Sequence, residues 1–467
     1  MNQRDATHPI NGKATVPTDS GATVPTHAGA LVLTGGTIIT CDADDRVLDD
    51  GALAIVGDRL AAVGPTADVT AAYPGAARHP LGGAIVMPGL INAHTHLAMT
   101  LFRGLADDVD LEGFLDRIMP AEANVLSGEA VRDGVTLAVA ESLLGGVTAA
   151  LDMYFWDGVA SEVARSGGLR LAGGPAFLGG GSPEGTSFDA QVERARRLWA
   201  DQAEETPDDP IGRWAHPHST YTVDPDQLAL VAEAARAAGA RLHTHASESA
   251  GEVAMVSAAR GMRPIALLDS LGLLGPDVVL AHAVHLDEAE IAAIAASGTS
   301  VAHCPASNLK LGSGIAPIPA LLAAGVVIGL GTDGPASSND LDLFAVMRLT
   351  ALIHKGVSGD ATTMTAHQVL RAATIGGATL LGAGDSLGSL EVGKQADLVV
   401  LDAGAPHLTP SYDPIGTVVY AAGRGDVTDV WVAGRRVVAD RTLLTIDVAA
   451  ARNAVAGRRD QVLAALS

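Results

Sequence analysis

Between residues 84 and 333 the sequence repeats one unit eight times: a short apolar segment, a glycine-containing turn and an alanine-rich helical stretch. The apolar segments fall at 84–94, 147–154, 170–178, 211–218, 241–247, 278–284, 300–305 and 326–333. Helical stretches such as 225–240 and 287–297 lie between them. Strands joined through helices run parallel, because each helix carries the chain back to the end where the previous strand began. Eight such units in about 300 residues predict a closed α/β structure, a (β/α)8 TIM barrel. An open doubly wound sheet is the competing architecture, and the lack of a glycine-rich fingerprint after the first segment argues against it.

The placement of polar residues favours the barrel again and raises the question of function. His94, His96, His218, His245, His282, His303 and Asp333 all lie at or near the C-terminal ends of predicted strands. Enzymes of this architecture build their active sites on that face, from several strand ends at once. One histidine at a strand end is ordinarily a hydrogen-bonded core residue. Seven polar groups sharing one end of the barrel do not fit that explanation.

Strand-like segments punctuated by Gly and Asp stand on both sides of the barrel, at 30–42 and 51–64 before it and at 396–402 and 427–440 after it. They predict a small β-sandwich domain formed from both chain ends, residues 29–83 and 385–445. The barrel then spans 84–384, and a C-terminal helix follows over 446–467. Residues 1–28 are rich in Thr, Pro, Ala and Gly and lack an apolar core segment, so a disordered tail is expected there, not a signal peptide.

The chain carries 30 Lys and Arg against 53 Asp and Glu, a formal net charge of −23. Such a surface repels phosphate backbones and anionic lipid heads, which excludes nucleic-acid polymers and membranes as partners but not a small nucleoside or base. No run of about 18 apolar residues predicts a membrane span. Two cysteines, Cys41 and Cys304, cannot build a disulfide framework, and they suit a reducing cytoplasm. A homo-oligomer is the expected assembly.

His94-Thr95-His96 ends the first segment. Residues i and i+2 of a strand point to the same side, so both imidazoles can face the barrel mouth and chelate one ion. His243 and His245 repeat the spacing on the fifth strand, and spacing alone leaves the choice between them open. His245 is favoured as a third ligand because it is nearer the strand end and has Glu248 three residues on; His243 is then a deeper, structural residue. Asp333 offers a carboxylate across the barrel, although an Asp there serves equally well as a helix N-cap. Together the four make an N3O set with an open position for water, as catalytic zinc sites require. Zn²⁺, one per chain, is the expected ion, with Fe²⁺ or Mn²⁺ as alternatives. Glu248 and His282 remain free for proton work beside a water whose pKa the metal would bring to about 7.

The segments beginning at Pro88 (PGLINAHTHLAMTLFRGLADD), at 245–248 (HASE), 281–286 (AHAVHL), 302–317 (AHCPASNLKLGSGIAP) and 331–344 (GTDGPASSNDLDLF) together resemble the methylthioadenosine/S-adenosylhomocysteine deaminases of the amidohydrolase superfamily. The resemblance runs from about residue 30 to the C-terminus, and 386–402 resembles that superfamily's return into its β-sandwich. It implies zinc-dependent hydrolytic deamination of an adenosine-type nucleoside, with His94, His96, His245 and Asp333 as metal ligands. It further implies that Glu248 protonates the purine, that His282 positions the attacking oxygen, and that Asp333 passes a proton to the departing ammonia. His218 matches a substrate-contacting histidine and Glu122 a carboxylate that binds the ribose hydroxyls. One departure concerns the 5′ side of the substrate. Members acting on S-adenosylhomocysteine commonly carry an arginine after the third strand, whereas residues 171–181 here contain no basic residue. Phe114 also replaces a common tryptophan.

Three other functions share parts of this pattern. An aminohydrolase of another heterocycle (guanine, cytosine, pterin or triazine) would have no use for a ribose-binding Glu122. A metal-binding scaffold without turnover would not need Glu248 and His282. An amide- or ester-cleaving relative would need no acid for a ring nitrogen.

Overall fold

The computed structural model describes residues 29–206 and 209–466, and the tail expected over 1–28 lies outside the described residues. Eight parallel strands make the barrel: β1 (Leu90–Thr95), β2 (Val147–Asp152), β3 (Arg170–Gly173), β4 (Trp214–Pro217), β5 (Arg241–Ala246), β6 (Val278–His282), β7 (Ser300–His303) and β8 (Ile328–Leu330). One ladder joins β1, β2 and β3; a second runs from Ala176–Phe177 through β4 to β8 in chain order. The third strand is broken at Gly174-Pro175, and pairing resumes where Ala176 and Phe177 lie beside His216 and Pro217. Proline has no N–H to give to a ladder, but its carbonyl still accepts from the His216 N–H at 2.9 Å.

The ring closes between β8 and β1 through side chains as well as backbone. The Thr332 N–H donates to Asn92 Oδ1 at 3.0 Å, Asn92 Nδ2 donates to Thr332 Oγ1 at 2.8 Å, and the Asp333 N–H donates to the His94 carbonyl at 3.1 Å. Gly331 permits this approach: a Cβ there would stand 2.9 Å from Cys304 Sγ and 3.0 Å from the His94 backbone nitrogen.

The apolar segment 84–94, expected as one strand, is two. Ile85–Pro88 pairs antiparallel with Leu398–Leu401 and parallel with Leu31–Ile39, whereas Leu90–Thr95 belongs to the barrel. The chain changes sheets at Gly89, where a Cβ would meet Thr148 Oγ1 at 2.1 Å. Both halves are buried, so hydrophobicity alone does not mark the junction.

Both ends of the chain contribute to one nine-stranded, mostly antiparallel sheet. Its order is Thr442–Leu443, Arg435–Ala439, Val427–Val432, Leu398–Leu401, Ile85–Pro88, Leu31–Ile39, Val47–Val56 and Arg59–Pro65, with Ala77–Pro80 beside Leu31–Ile39. Leu33, Ile38, Leu53, Leu60, Leu398 and Trp431 pack together as its core. Helices around the barrel begin where a short polar side chain accepts the otherwise unpaired N–H groups, as Ser127 does for Ala130 and Asp287 for Glu290. Among the described residues no helix is long and apolar enough to cross a membrane.

Candidate active site

Three strand ends bring four donor side chains together at the barrel mouth. His94 Nε2 and His96 Nε2, from β1, lie 3.3 and 3.2 Å from Asp333 Oδ1, which follows β8. His245 Nε2, from β5, lies 3.3 Å from His96 Nε2. The other nitrogen of each ring faces outward. His96 Nδ1 reaches the Met153 carbonyl at 2.5 Å and His245 Nδ1 the His218 carbonyl at 2.7 Å. A carbonyl only accepts, so both rings carry hydrogen on Nδ1, and each neutral ring then has its lone pair on the inward-facing Nε2. Asp333 Oδ2 accepts from the Ser307 and Ser337 hydroxyls, each at 2.6 Å.

His94 Nε2 is buried and has no hydrogen-bond partner. A buried, partnerless nitrogen facing two further imidazoles and a carboxylate fits a divalent cation, and the three nitrogens with one oxygen match the donors of a catalytic zinc site. Donor atoms of His94, His96 and Asp333 all lie within 4.8 Å of one another, as do those of His94, His245 and His282. His282 therefore sits close enough to join the donors. Its Nδ1 is held 2.9 Å from Asn308 Oδ1, and its Nε2 faces Glu248 Oε2 at 3.8 Å.

Burial sets the charge balance of the site. It pushes His94 down to about 3, away from the imidazolium form. Burial alone would raise Asp333, but the His94 and His96 imidazoles beside it outweigh that and hold the carboxyl well below the usual carboxylate range. Glu248 is pushed up to about 7 by burial, against the pull of His282. Asp333 and His282 both adopt left-handed backbone conformations, φ 60° and 71°, and Ser247 does so at 53°. Residues with a Cβ seldom adopt that region, and here they cluster where side chains leave the alternation of their strands to face the mouth.

Above the donor set lies a pocket whose wall includes His218, Tyr154, Glu122, Glu248 and His282. Helix α1 (Leu111–Val125), capped by Asp110 accepting from the Gly113 N–H, adds Leu111, Phe114, Leu115, Ile118 and Met119. Glu122 stands one turn beyond Ile118, half-buried, and accepts from the Tyr154 hydroxyl at 2.5 Å. Among the described residues no lysine or arginine lines the pocket. Arg103 is held by Glu141 and the Asn339 carbonyl, and Arg170 by Asp397 and Gln395.

The structure thus gathers His94, His96, His245, Asp333, Glu248, His282, His218 and Glu122 around one space. His303 stands apart, its Nε2 3.4 Å from His354 Nε2. Ser307, Ser337, Asn308 and Tyr154 hold the principal groups and were not singled out from the sequence. Ser307 and Asn308 lie on a short helix and Ser337 on a turn, where short polar residues are most often caps, and only their neighbourhood in space distinguishes them.

The sequence profile of the amidohydrolase family matches residues 85–437. The chain belongs to the amidohydrolase family. A profile described as an imidazolonepropionase-like composite domain of bacteria matches residues 51–76, within the satellite sheet of this amidohydrolase. A 5-methylthioadenosine/S-adenosylhomocysteine deaminase of Syntrophobacter fumaroxidans is 44% identical over 418 residues, 89% of this chain and 94% of the relative. A protein of the same description from Natronomonas pharaonis is 41% identical, covering 90% and 95%. Among solved structures, an adenosine deaminase of Xanthomonas campestris with bound zinc superposes with a TM-score of 0.90 at 41% identity, covering 93% of this chain and 98% of that one. A zinc-complexed atrazine chlorohydrolase of Arthrobacter aurescens superposes at 0.83 with 28% identity, covering 92% and 100%.

Proposed function

We propose that this amidohydrolase is a zinc-dependent hydrolytic deaminase of an adenosine-type nucleoside, releasing ammonia and the inosine analogue. The observation that carries this reading is the buried Glu248, 3.8 Å from His282 Nε2 in the same pocket as the donor set, with a second acid, Glu122, on the pocket wall; burial pushes both carboxyls up to about 7. An acid beside the donors suits protonation of a ring nitrogen, and Glu122 suits the paired hydroxyls of a ribose. The descriptions of the relatives support the same substrate class.

His94, His96, His245 and Asp333 would hold the ion, which when bound would supply Lewis-acid activation of a water. The remaining steps belong to side chains. Glu248 protonates the ring nitrogen next to the amino-bearing carbon, making that carbon open to attack. His282 Nε2, fixed through Asn308, orients the attacking water. Asp333 accepts a proton from that water and passes it to the amine; as the C–N bond breaks and ammonia leaves, the added hydroxyl becomes the carbonyl and its remaining proton returns to Glu248. His218 borders the pocket with its Nδ1 held 3.0 Å from Thr222 Oγ1, so its Nε2 is free for substrate. Two buried, unpaired cysteines support a cytoplasmic setting.

Ammonia release by the zinc-loaded enzyme tests the assignment, measured with adenosine, 5′-deoxyadenosine, methylthioadenosine, S-adenosylhomocysteine, guanine, cytosine and a triazine. Turnover of the nucleosides is expected. Turnover confined to free bases or the triazine would overturn the role given to Glu122.

A further inference from the structure

Three imidazoles stand in a buried line leading away from the donor set. His94 Nδ1 lies 3.0 Å from His243 Nε2, and His243 Nδ1 lies 3.1 Å from His216 Nδ1. All three residues are fully buried. The His216 ring lies nearly parallel to Trp214, with 7° between the planes, and its Nε2 has no hydrogen-bond partner. His96 and His245 are held differently, each by a main-chain carbonyl that fixes hydrogen on Nδ1. An imidazole neighbour either donates or accepts, so His94 takes its tautomer from the whole line.

Each of the two N···N contacts holds one hydrogen, which leaves two orders with the same number of hydrogens. In the first, His94 Nδ1–H donates to His243 Nε2, His243 Nδ1–H donates to His216 Nδ1, and His216 keeps its hydrogen on Nε2. In the second, His216 Nδ1–H donates to His243 Nδ1, His243 Nε2–H donates to His94 Nδ1, and His94 carries its hydrogen on Nε2, 3.3 Å from Asp333 Oδ1. Only the first order leaves a lone pair on His94 Nε2 for a metal.

We propose that His243 and His216 are positioning residues of the metal centre, a line of imidazoles that holds His94 in the tautomer able to ligate. This rests on His94 being a ligand, as proposed above. The single unpaired N–H that the first order requires falls on His216 Nε2, at the end of the line farthest from the donors. His243 is thus more than packing beneath the site: in the first order it accepts from His94 Nδ1, as backbone carbonyls accept from His96 and His245.

Zinc dissociation constants, measured by competition with a chromophoric chelator, test the proposal. Loss of an outer partner of a metal-bound histidine typically weakens binding about 10–100-fold, and His243→Phe is expected to fall in that range. His243→Gln, whose amide oxygen can accept from His94 Nδ1, should recover most of the loss. Wild-type affinity in His243→Phe, or equal weakening in both variants, overturns the proposal. Neutron diffraction from the zinc-loaded wild-type protein keeps the question open to decision if the phenylalanine variant does not fold. Hydrogen is expected on His94 Nδ1, His243 Nδ1 and His216 Nε2, and hydrogen on His243 Nε2 refutes the line. The zinc content of His96→Ala is the separate control for the ligand set: full content there overturns the set itself, whereas loss there beside intact binding in His243→Phe removes only the line.

Discussion

Glu248 shows how burial can prepare a side chain for proton transfer. An ordinary glutamate has given up its proton well below pH 7, but burial pushes this carboxyl up to about 7, with His282 opposing. A group that must donate a proton has to hold it first. Deprotonation of Glu248 therefore removes activity, and kcat/KM is expected to decline as the pH rises past about 7. Glu248→Gln keeps the shape and removes the acid; general acid–base catalysis is worth about 10²–10⁴-fold, so kcat should fall by that much with zinc content unchanged. Near-normal turnover in this variant would place the proton source elsewhere. His96→Ala, by contrast, should purify with little zinc, as elemental analysis would show. The i, i+2 spacing of His94 and His96 was legible because strand geometry alone puts both on one side. Spacing did not separate His243 from His245, which share a face; only nearness to the strand end and to Glu248 favoured His245. What separates them is the stagger of β5 against β1, which sets His243 against His94 Nδ1 and His245 against His96 Nε2. No local pattern encodes that stagger.

Helix α1 governs the far side of the pocket from its own sequence. Leu111, Phe114, Leu115 and Ile118 recur at helical spacing and face the cavity, with Glu122 one turn further on. An apolar strip ending in a carboxylate suits a nucleoside whose ribose hydroxyls meet Glu122 and whose 5′ group is neutral. Burying the amino-acid carboxylate of S-adenosylhomocysteine without a partner costs several kcal/mol. Arg103 is engaged with Glu141, and Arg170 with Asp397 at the opposite end of the barrel, so neither is free to pair with that carboxylate. We expect kcat/KM for 5′-deoxyadenosine or methylthioadenosine to exceed that for S-adenosylhomocysteine by about tenfold or more under equal metal loading. A tenfold preference for the amino-acid-bearing nucleoside would mean that a cation reaches the pocket during turnover. Element boundaries were harder to read than element types. Residues 84–94 look like one strand because both of its halves are buried, and the change of sheet is made by the contact of Gly89 with Thr148, far apart in sequence. The break at Gly174-Pro175 was locally visible as a strand-breaking dipeptide, yet the apolar residues on either side masked it.

At the scale of the whole molecule, the barrel and the satellite sheet are joined at the end of the barrel opposite the site. Arg170, the first residue of β3, meets Asp397 in a two-pronged ion pair, Nε to Oδ2 at 2.8 Å and Nη2 to Oδ1 at 3.0 Å, and also donates to Gln395 Oε1 at 2.8 Å. Asp397 further accepts from the Ala433 N–H at 2.7 Å, and its own carbonyl accepts from the Gly89 N–H where the chain changes sheets. The two side chains are 15% and 4% exposed, so neither charge has water as a ready replacement partner. Removing one member of a buried pair strands the other, at a cost of about 3–5 kcal/mol, whereas replacing both with apolar groups of similar size is often close to neutral. Arg170→Met should therefore lower the thermal midpoint markedly, and the double variant Arg170→Met/Asp397→Leu should recover much of the loss. Turnover per folded molecule should be unchanged in both, because the pair stands at the start of β3 while the donors stand at strand C-termini. A single variant as stable as wild type would show that the satellite sheet is held by its apolar contacts alone. A double variant no better than the single one would show that packing around Arg170, and not the stranded charge, sets the cost.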